Sequence, residues 1–157
     1  MNTPATRMVR RAGPTDLDVL ARLRYAFRAE AHPVVESESK FLSRCARWMH
    51  PRLTDASPWR AWVLEQNSEI VGNVWMQLVE KIPNPGSESE VHAYISNFFV
   101  APSARNTGAG SLLIQTALDD ARHLHVDTVI LWPTARSRPL YQRLGFRESP
   151  DLLANKL

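Results

Sequence analysis

A predicted strand is joined to a predicted amphipathic helix by Val100-Ala101-Pro102-Ser103-Ala104-Arg105-Asn106-Thr107-Gly108-Ala109-Gly110-Ser111. The two glycines allow the main chain to approach a ligand closely, and the unpaired N–H groups of a helix's first turn attract an anion such as a pyrophosphate. The stretch lacks the Gly-Lys-Ser/Thr of a P-loop and the third glycine of the dinucleotide-binding fingerprint. On local grounds it indicates a phosphate site and a tight turn equally well.

Downstream of this stretch, the spacing of apolar residues predicts two further strands and two helices. Apolar residues recur at helical intervals over Gly108 to Leu124, and Thr128 to Trp132 is a continuous apolar run typical of a buried strand. A short helix over Ser137 to Leu144 is expected to end at Gly145. We expect a last edge strand over Leu152 to Leu157.

Upstream, the pattern predicts a strand, two helices, a hairpin and one long strand. A loop with two prolines and a glycine, from Lys81 to Glu90, precedes the long strand. The predicted segments are a strand over Met8 to Ala12, a helix from Thr15 or Asp16 to Pro33, a helix over Glu36 to Met49, a hairpin of Ala61 to Leu64 with Ile70 to Val79, and a strand over Val91 to Val100.

Length and composition restrict the class of protein. The chain has 157 residues, 44% hydrophobic and 22% charged, with a net charge of +3, and nothing in it resembles a linker, so a single domain over residues 1–157 is expected. Cys45 is the only cysteine, which excludes an intramolecular disulfide, and no metal site is expected. The basic residues are scattered and no apolar run could span a bilayer, so we expect a cytoplasmic protein that binds neither nucleic acid nor membrane.

A second motif lies about thirty residues after the glycines, in Tyr141-Gln142-Arg143-Leu144-Gly145-Phe146. Taken alone it is typical of core packing. Together the two motifs resemble the GNAT superfamily of acyl-CoA-dependent N-acyltransferases, in which a strand ending in Val-x-Pro precedes Arg/Gln-x-x-Gly-x-Gly/Ala and a later helix carries Tyr-x-x-x-Gly-Phe. The N-terminal strand, the helix opened by Asp16 and Leu17, and the Ile70-Val71-Gly72 strand start are similar to the family too.

The resemblance implies an α/β fold with a mixed, mostly antiparallel sheet, flanked by helices and splayed between its fourth and fifth strands. It implies acetyl-CoA as the acetyl donor, with its pantetheine arm paired to the main chain where those strands separate and its pyrophosphate held by the glycine stretch. Thr134 stands where many relatives have asparagine. The cofactor-binding residues predicted in this way are Phe98, Phe99, Val100, Arg105, Asn106, Thr107, Gly108, Ala109, Gly110, Ser111, Thr134 and Ser137.

Two residues are predicted to be catalytic. The resemblance makes Tyr141 the general acid toward the departing thiolate. The position at which relatives often carry a glutamate base is Tyr94 here, and His92 lies two residues earlier on the same strand face. An imidazole suits proton removal through a water. Deprotonation of the amine by bulk water, with His92 as an ordinary exposed residue, is the equal alternative.

The acceptor is the least determined part of the interpretation. We predict direct transfer to a primary amine of a small molecule; a protein or peptide amine, or a non-catalytic acyl-CoA-binding regulatory domain, are the alternatives. If the acidic Lys81 to Glu90 loop acted as a lid it would suit a small cationic acceptor, whereas a protein acceptor would need an open groove. Trp75 is read as core, or else as an aromatic wall beside the acceptor. A homodimer is also considered.

Overall fold

The computed structural model describes residues 6–157 and contains five strands and four helices in that range. Short 3-10 turns precede α1 and follow α2 and β4. The elements in chain order are β1 (Arg7–Arg11), α1 (Leu17–Ala31), α2 (Glu38–Met49), β2 (Trp59–Gln66), β3 (Glu69–Glu80), β4 (Val91–Val100), α3 (Ala109–His123), β5 (Thr128–Ile130) and α4 (Arg138–Arg143). None of these helices is long and apolar enough to cross a membrane.

The strands form one sheet in the order β1-β2-β3-β4-β5. The first four strands are antiparallel to their neighbours, whereas β5 runs parallel to β4. Pairing between β4 and β5 ends at Tyr94 and Ile130, although β4 continues to Val100. The second half of β4 therefore has no partner on this side among the described residues, and the two strands splay apart. This confirms the predicted fold class.

Alternation of side chains along the strands separates two layers of core. Met76 and Ile95 pack with Leu113 and Ile114 of α3, on one face of the sheet. On the other face, residues of β2 and β3 pack with α1 and α2; this second cluster contains Leu20, Met49, Val63 and Trp75. The helices thus cover both faces, and α1 and α2 lie on the face opposite α3.

Two predicted strands differ from the observed ones. Leu152 to Leu157 forms no strand and is exposed, which corrects the predicted edge strand. The segment has no β-branched or aromatic residue, and such residues are what stabilises a strand at a sheet edge. The other strand, β5, ends at Ile130, and Trp132 is 64% exposed. Because the strands diverge there, the apolar run of residues 128–132 is only partly buried, not fully buried as predicted.

Candidate active site

A cleft of about 1470 Å³ opens where β4 and β5 separate. One part of its wall comes from the end of β4, the start of α3 and the segment leading into α4; we call this the donor half. The other part comes from α1, α2 and the middle of β3 and β4, and we call it the acceptor half. The Lys81 to Glu90 loop does not contribute to the wall. The topology therefore creates one continuous cavity with two chemically different ends.

A β-bulge interrupts β4 in the middle of this cleft. Asn73 pairs with Phe99 and Trp75 with Ser96, so two β4 residues, Asn97 and Phe98, face one β3 residue. Asn97 has a φ of +50°, in the left-handed region that asparagine tolerates better than most residues. A bulge leaves a main-chain group of the longer strand outside the hydrogen-bond ladder. The bulge and the absence of β5 at this level make β4 main-chain groups available to a ligand.

The start of α3 lies at one end of the donor half. Gly108 has a φ of +82°, and the first main-chain hydrogen bond of the helix runs from Leu112 N–H to Gly108 O at 3.1 Å. The N–H groups over residues 109–111 precede that bond, so they have no acceptor within the helix. Arg7 supports the preceding turn by donating to Thr107 O at 2.7 Å. This arrangement suits a pyrophosphate.

The two glycines of the motif serve different purposes. A Cβ at Gly110 would lie 3.0 Å from Phe98 Cζ and 3.7 Å from Leu140 Cδ1, so the glycine lets α3 close on β4 and α4. A Cβ at Gly108 would meet no atom within 4 Å, and the requirement there is the positive φ. Gly110 thus brings α3 and β4 together, and Gly108 turns the chain into the helix.

Arg105 is fixed by three contacts. Its Nε donates to Val100 O at 2.8 Å, its Nη2 donates to Glu30 Oε1 at 2.6 Å, and its guanidinium lies 5.4 Å from the Phe99 ring centroid. Glu30 Oε2 also accepts from Arg136 Nη2 at 3.3 Å. Partial burial opposes ionisation of Glu30, but the hydrogen bonds and charges of the two arginines outweigh it and lower the pKa of the carboxyl.

Polar groups at the entrance to α4 also line the donor half. The hydroxyls of Thr134 and Ser137 are 2.9 Å apart, and Ser137 Oγ accepts from Thr134 N–H at 3.0 Å. Tyr141 follows one turn later and is only 6% exposed, between the rings of Phe98 and Phe146 at centroid distances of 5.9 and 5.5 Å. Burial raises the pKa of Tyr141 to about 12, with a smaller opposing contribution from the Ser137 hydroxyl.

The structure brings Tyr141 and the glycine stretch to the same cleft, but His92 lies apart from it. His92 is in the paired part of β4, opposite Thr128, and is not in the cleft wall. Its Nδ1 is 3.7 Å from Asp127 Oδ2. The His92 side chain lies on the same face of β4 as Tyr94, as predicted, but farther from the point where β4 and β5 separate. Its role as a base stays a prediction.

Most of the acceptor half was not predicted as functional. Trp48 and Trp59 pack against Trp75 at centroid distances of 6.0 and 6.2 Å, and all three rings line the cleft. Trp75 is at once a core residue and a wall residue. Arg24 and Arg28 line the same half. The signal available in the sequence was Arg24 itself, because a charged residue there interrupts the inward-facing helical stripe of Leu20 and Phe27.

No group of three or more His, Cys, Asp or Glu side chains within residues 6–157 is placed to hold a metal ion. In particular, no such group forms around His123 and His125, at and just after the end of α3.

Solved structures share this fold. A GCN5-related N-acetyltransferase from Ralstonia eutropha JMP134 superposes with a TM-score of 0.78 at 24% identity over 96% of this chain and 99% of its own. A predicted acetyltransferase from Clostridium acetobutylicum, solved with acetyl-CoA, gives 0.79 at 18% identity over 96% of both chains. Glucosamine-6-phosphate N-acetyltransferase from Arabidopsis thaliana gives 0.70 at 13% identity, over 96% of this chain and 98% of its own. No curated protein matches the sequence.

The family assignment rests on the sequence as well as on the fold. The model of the acetyltransferase (GNAT) family matches residues 22–146, which include the β4 bulge, the α3 glycines and Tyr141. Members of the family use acetyl-CoA, and the donor half has a helix start suited to an anion and a strand edge that is free among the described residues. The resemblance noted from the two motifs is confirmed: the chain belongs to the GNAT acetyltransferase family.

Proposed function

We propose that this protein transfers an acetyl group from acetyl-CoA directly to the primary amine of a small molecule. The observation that carries the proposal is the cleft with a donor half and an acceptor half on the two sides of the β4 bulge. Its volume of about 1470 Å³ exceeds the size of a pocket for one small ligand. Two reactants can meet at the bulge, and transfer needs no covalent enzyme intermediate.

The donor half fits acetyl-CoA through main-chain groups. The N–H groups of residues 109–111 and the positive end of α3 would hold the pyrophosphate, and main-chain groups of Phe98 and Val100 would pair with the pantetheine arm. Phe99, Thr134 and Ser137 complete this half. When bound, acetyl-CoA supplies a thioester whose C–S bond breaks as the C–N bond forms. The thiolate leaves with the electron pair, and the amine gives up a proton.

The chain's own groups would stabilise charge on both sides of the reacting carbon. A main-chain N–H at the bulge, near Phe98, would donate to the carbonyl oxygen as negative charge develops there. Tyr141 would donate its phenol proton toward the departing sulfur. A thiol has a pKa of about 8.5, which is about 3.5 below that of Tyr141, so complete proton transfer is uphill by about 5 kcal/mol. Hydrogen-bond donation is therefore its main contribution.

Removal of the amine's proton has two open routes. The carboxylate that lines the cleft, Glu30, is engaged with Arg105 and Arg136, which makes it a poor proton acceptor. His92 acting through water is one route and bulk water alone is the other. The pH profile of kcat/KM separates them: an ascending limb that is lost in His92→Ala would support His92. An unaltered profile would assign the proton to water.

Two alternatives remain for the acceptor and the activity. A protein or peptide amine would have to reach the bulge through walls formed by α1 and α2, and the deep Trp75 surface favours a compact acceptor. Among fold relatives, the Arabidopsis enzyme is named for a small amine, glucosamine 6-phosphate. A purely regulatory acyl-CoA-binding domain has no need of a buried phenol at the sulfur position, and Tyr141 argues against it.

The deciding experiment is a screen for thiol release. Purified protein with acetyl-CoA is incubated with a panel of small amines and, separately, with lysine-containing peptides, and free CoA is measured over the rate without acceptor. We expect release with small amines, with mass spectrometry showing one added acetyl group on the product. Release with peptides alone would favour the protein acceptor. Calorimetric binding of acetyl-CoA with no release from any amine would favour the regulatory alternative.

A further inference from the structure

Helix α1 presents two arginines to the acceptor half of the cleft. Arg24 and Arg28 are four residues apart, so they lie on one face of the helix, and both line the cavity. Leu20, one turn before Arg24, is completely buried, and Arg24 itself is half-buried. Like charges at this spacing destabilise a helix. Two arginines held at this spacing therefore lower the stability of the fold.

Neither arginine has a carboxylate partner in the part of the chain that the structure describes. The polar contact of Arg24 is a long hydrogen bond from Nη1 to Asn97 Oδ1, at 3.4 Å, and its guanidinium lies 5.6 Å from the Phe27 ring centroid. Burial lowers the pKa of Arg24, and the charge of Arg28 lowers it further. An arginine still stays protonated in a protein. The acceptor half therefore contains a partly desolvated positive charge that is not neutralised.

Three other arginines of the cleft differ in this respect. Arg44 is paired with Glu36 at 2.6 Å. Arg105 and Arg136 are both paired with Glu30, at 2.6 and 3.3 Å. Partly buried charges in proteins are normally paired in this way, because removing a charge from water costs free energy that only a partner offsets. Arg24, half-buried and without a carboxylate partner among the described residues, departs from this pattern; Arg28 and Arg143 also line the cleft without such a partner, but both are exposed.

A second unsatisfied donor lies in the same half. The indole N–H of Trp75 is buried and has no acceptor among the described residues, and Trp75 is only 2% exposed. Its ring forms part of the cleft wall together with Trp48 and Trp59. The acceptor half thus combines a half-buried unpaired cation, Arg24, and an exposed one, Arg28, with an apolar floor; the Trp75 N–H itself has no exposed surface and would have to be uncovered to reach a ligand. Two unpaired guanidinium groups are complementary to an oxygen anion, not to a second cation.

We propose that the acceptor is an amine that also carries a carboxylate or phosphate group, and that Arg24, assisted by Arg28, binds that group. The inference rests on the proposed amine acetylation and specifies its substrate class. Both oxyanions match the planar fork of a guanidinium. Because Arg24 contacts Asn97 of the bulge, an anion bound there lies beside the strand segment at which acetyl transfer is proposed. Anchoring it would hold the amine at that position.

The test uses pairs of amines that differ only in the anionic group. L-phenylalanine is compared with L-phenylalaninamide for the carboxylate, and glucosamine 6-phosphate with glucosamine for the phosphate. Thiol release gives kcat/KM for each compound with wild-type protein, Arg24→Gln, Arg24→Lys and the control Arg22→Gln, which changes an exposed arginine of α1 outside the cleft wall. Calorimetry measures the Kd of each compound without donor and, separately, the Kd of CoA.

We expect the anionic member of at least one pair to be preferred by about 10- to 100-fold, the range of a charge-assisted hydrogen bond. The pair that shows the preference identifies carboxylate or phosphate. Arg24→Gln should reduce the preference at least about tenfold, mainly through KM and the acceptor Kd, with Arg24→Lys intermediate and Arg22→Gln unchanged. Circular dichroism checks that the variants are folded, and the conservative lysine variant keeps a readout if glutamine does not fold.

Three results would overturn the inference. Acetylation of neutral amines as efficiently as of their anionic counterparts would leave amine acetylation standing but remove the anionic acceptor. A loss of CoA binding in Arg24→Gln, with unchanged preference between acceptors, would assign Arg24 to the donor's phosphates. Binding of CoA with no thiol release from any amine would instead reject the proposed function on which the inference rests.

Discussion

Tyr141 keeps its phenol proton over the whole pH range in which the protein is expected to be active. The ring is enclosed by Phe98 and Phe146, so ionisation would place a phenolate in an apolar environment. Burial accordingly raises the pKa of Tyr141 to about 12. A neutral phenol can donate one hydrogen bond, and sulfur that departs as thiolate is the acceptor that such a donor stabilises. Tyr141 is thus a strong candidate as a hydrogen-bond donor to the departing sulfur, but it is a weak acid.

Replacing Tyr141 by phenylalanine removes this donor while keeping the ring. We expect kcat for a good acceptor to fall by about 100-fold and the Kd of CoA to stay close to the wild-type value, because the lost hydrogen bond acts on the departing sulfur. Steady-state thiol release and calorimetry measure the two quantities. The matched control is Tyr25→Phe: Tyr25 is not part of the cleft wall, and its ring, which packs against the wall residue Phe41, is kept. Wild-type turnover in Tyr141→Phe would remove Tyr141 from the mechanism.

The same residue makes a prediction about alkaline stability. The folded pKa of Tyr141, about 12, is above the unfolded value of about 10, so the unfolded chain loses its proton first as pH rises. The part of the folding stability that depends on a protonated Tyr141 is fully present below pH 10 and is lost as the pH approaches 12. The free energy of unfolding should fall by about 2 kcal/mol more in wild-type protein than in Tyr141→Phe over that window. Urea titrations at a series of pH values measure the difference; parallel pH profiles would contradict it.

At the scale of elements, the site depends on how closely β3, β4 and α3 approach one another. A Cβ at Gly72 of β3 would lie 2.9 Å from Phe99 O and 3.2 Å from Leu113 Cδ1. The first contact is with main chain of β4, which cannot rotate away as a side chain can. Gly72 therefore sets the position of the strand segment that is proposed to pair with the donor.

Gly72→Ala should consequently displace the end of β4. We expect a loss of unfolding free energy of about 1 to 3 kcal/mol, as for overpacked cores, together with a CoA Kd raised by roughly tenfold because the strand edge moves. Chemical denaturation and calorimetry test both effects. Gly13→Ala is the control: a Cβ there meets no atom within 4 Å, and its φ of −129° is open to any residue. An unchanged Kd in Gly72→Ala would separate strand position from donor binding.

At the scale of the whole molecule, the features that could be predicted are those that depend on residues close together in the sequence. The glycine stretch and Tyr141 lie in short motifs next to periodic segments, which is why the resemblance to the GNAT superfamily could be recognised, and with it the fold class and the expected position of the donor. The Glu30–Arg105 pair joins residues 75 positions apart, and no spacing rule indicates it. Leu152 to Leu157 looked like a strand because it is apolar, but whether a terminal segment pairs depends on the adjoining sheet edge. The acceptor half could not be predicted for a similar reason, since it is assembled from α1, α2 and β3, which are distant from one another in the sequence.

The Glu30 contacts join α1 to both sides of the splay. Glu30 Oε1 accepts from Arg105, which follows β4, and Glu30 Oε2 accepts from Arg136, which follows β5. We call these two ion pairs the Glu30 bridge. Both arginines line the donor half, so a phosphate that enters it meets two cations already paired with a carboxylate. The bridge holds α1 across the cleft, but Glu30 then competes with an anionic ligand for Arg105 and Arg136.

Glu30→Gln tests that competition. Removing the carboxylate frees Arg105 and Arg136 and removes repulsion between Glu30 and the donor's phosphates, so we expect the Kd of CoA to decrease by about three- to tenfold at low ionic strength. Salt should shrink the effect, because exposed charges are screened. The cost in stability should be at most about 1 kcal/mol, since these pairs are partly solvated. The matched control is Asp119→Asn, which breaks the Arg122 pair on the far part of α3 and should leave the Kd unchanged. A weaker CoA affinity in Glu30→Gln would mean that the bridge shapes the donor half instead of competing for it.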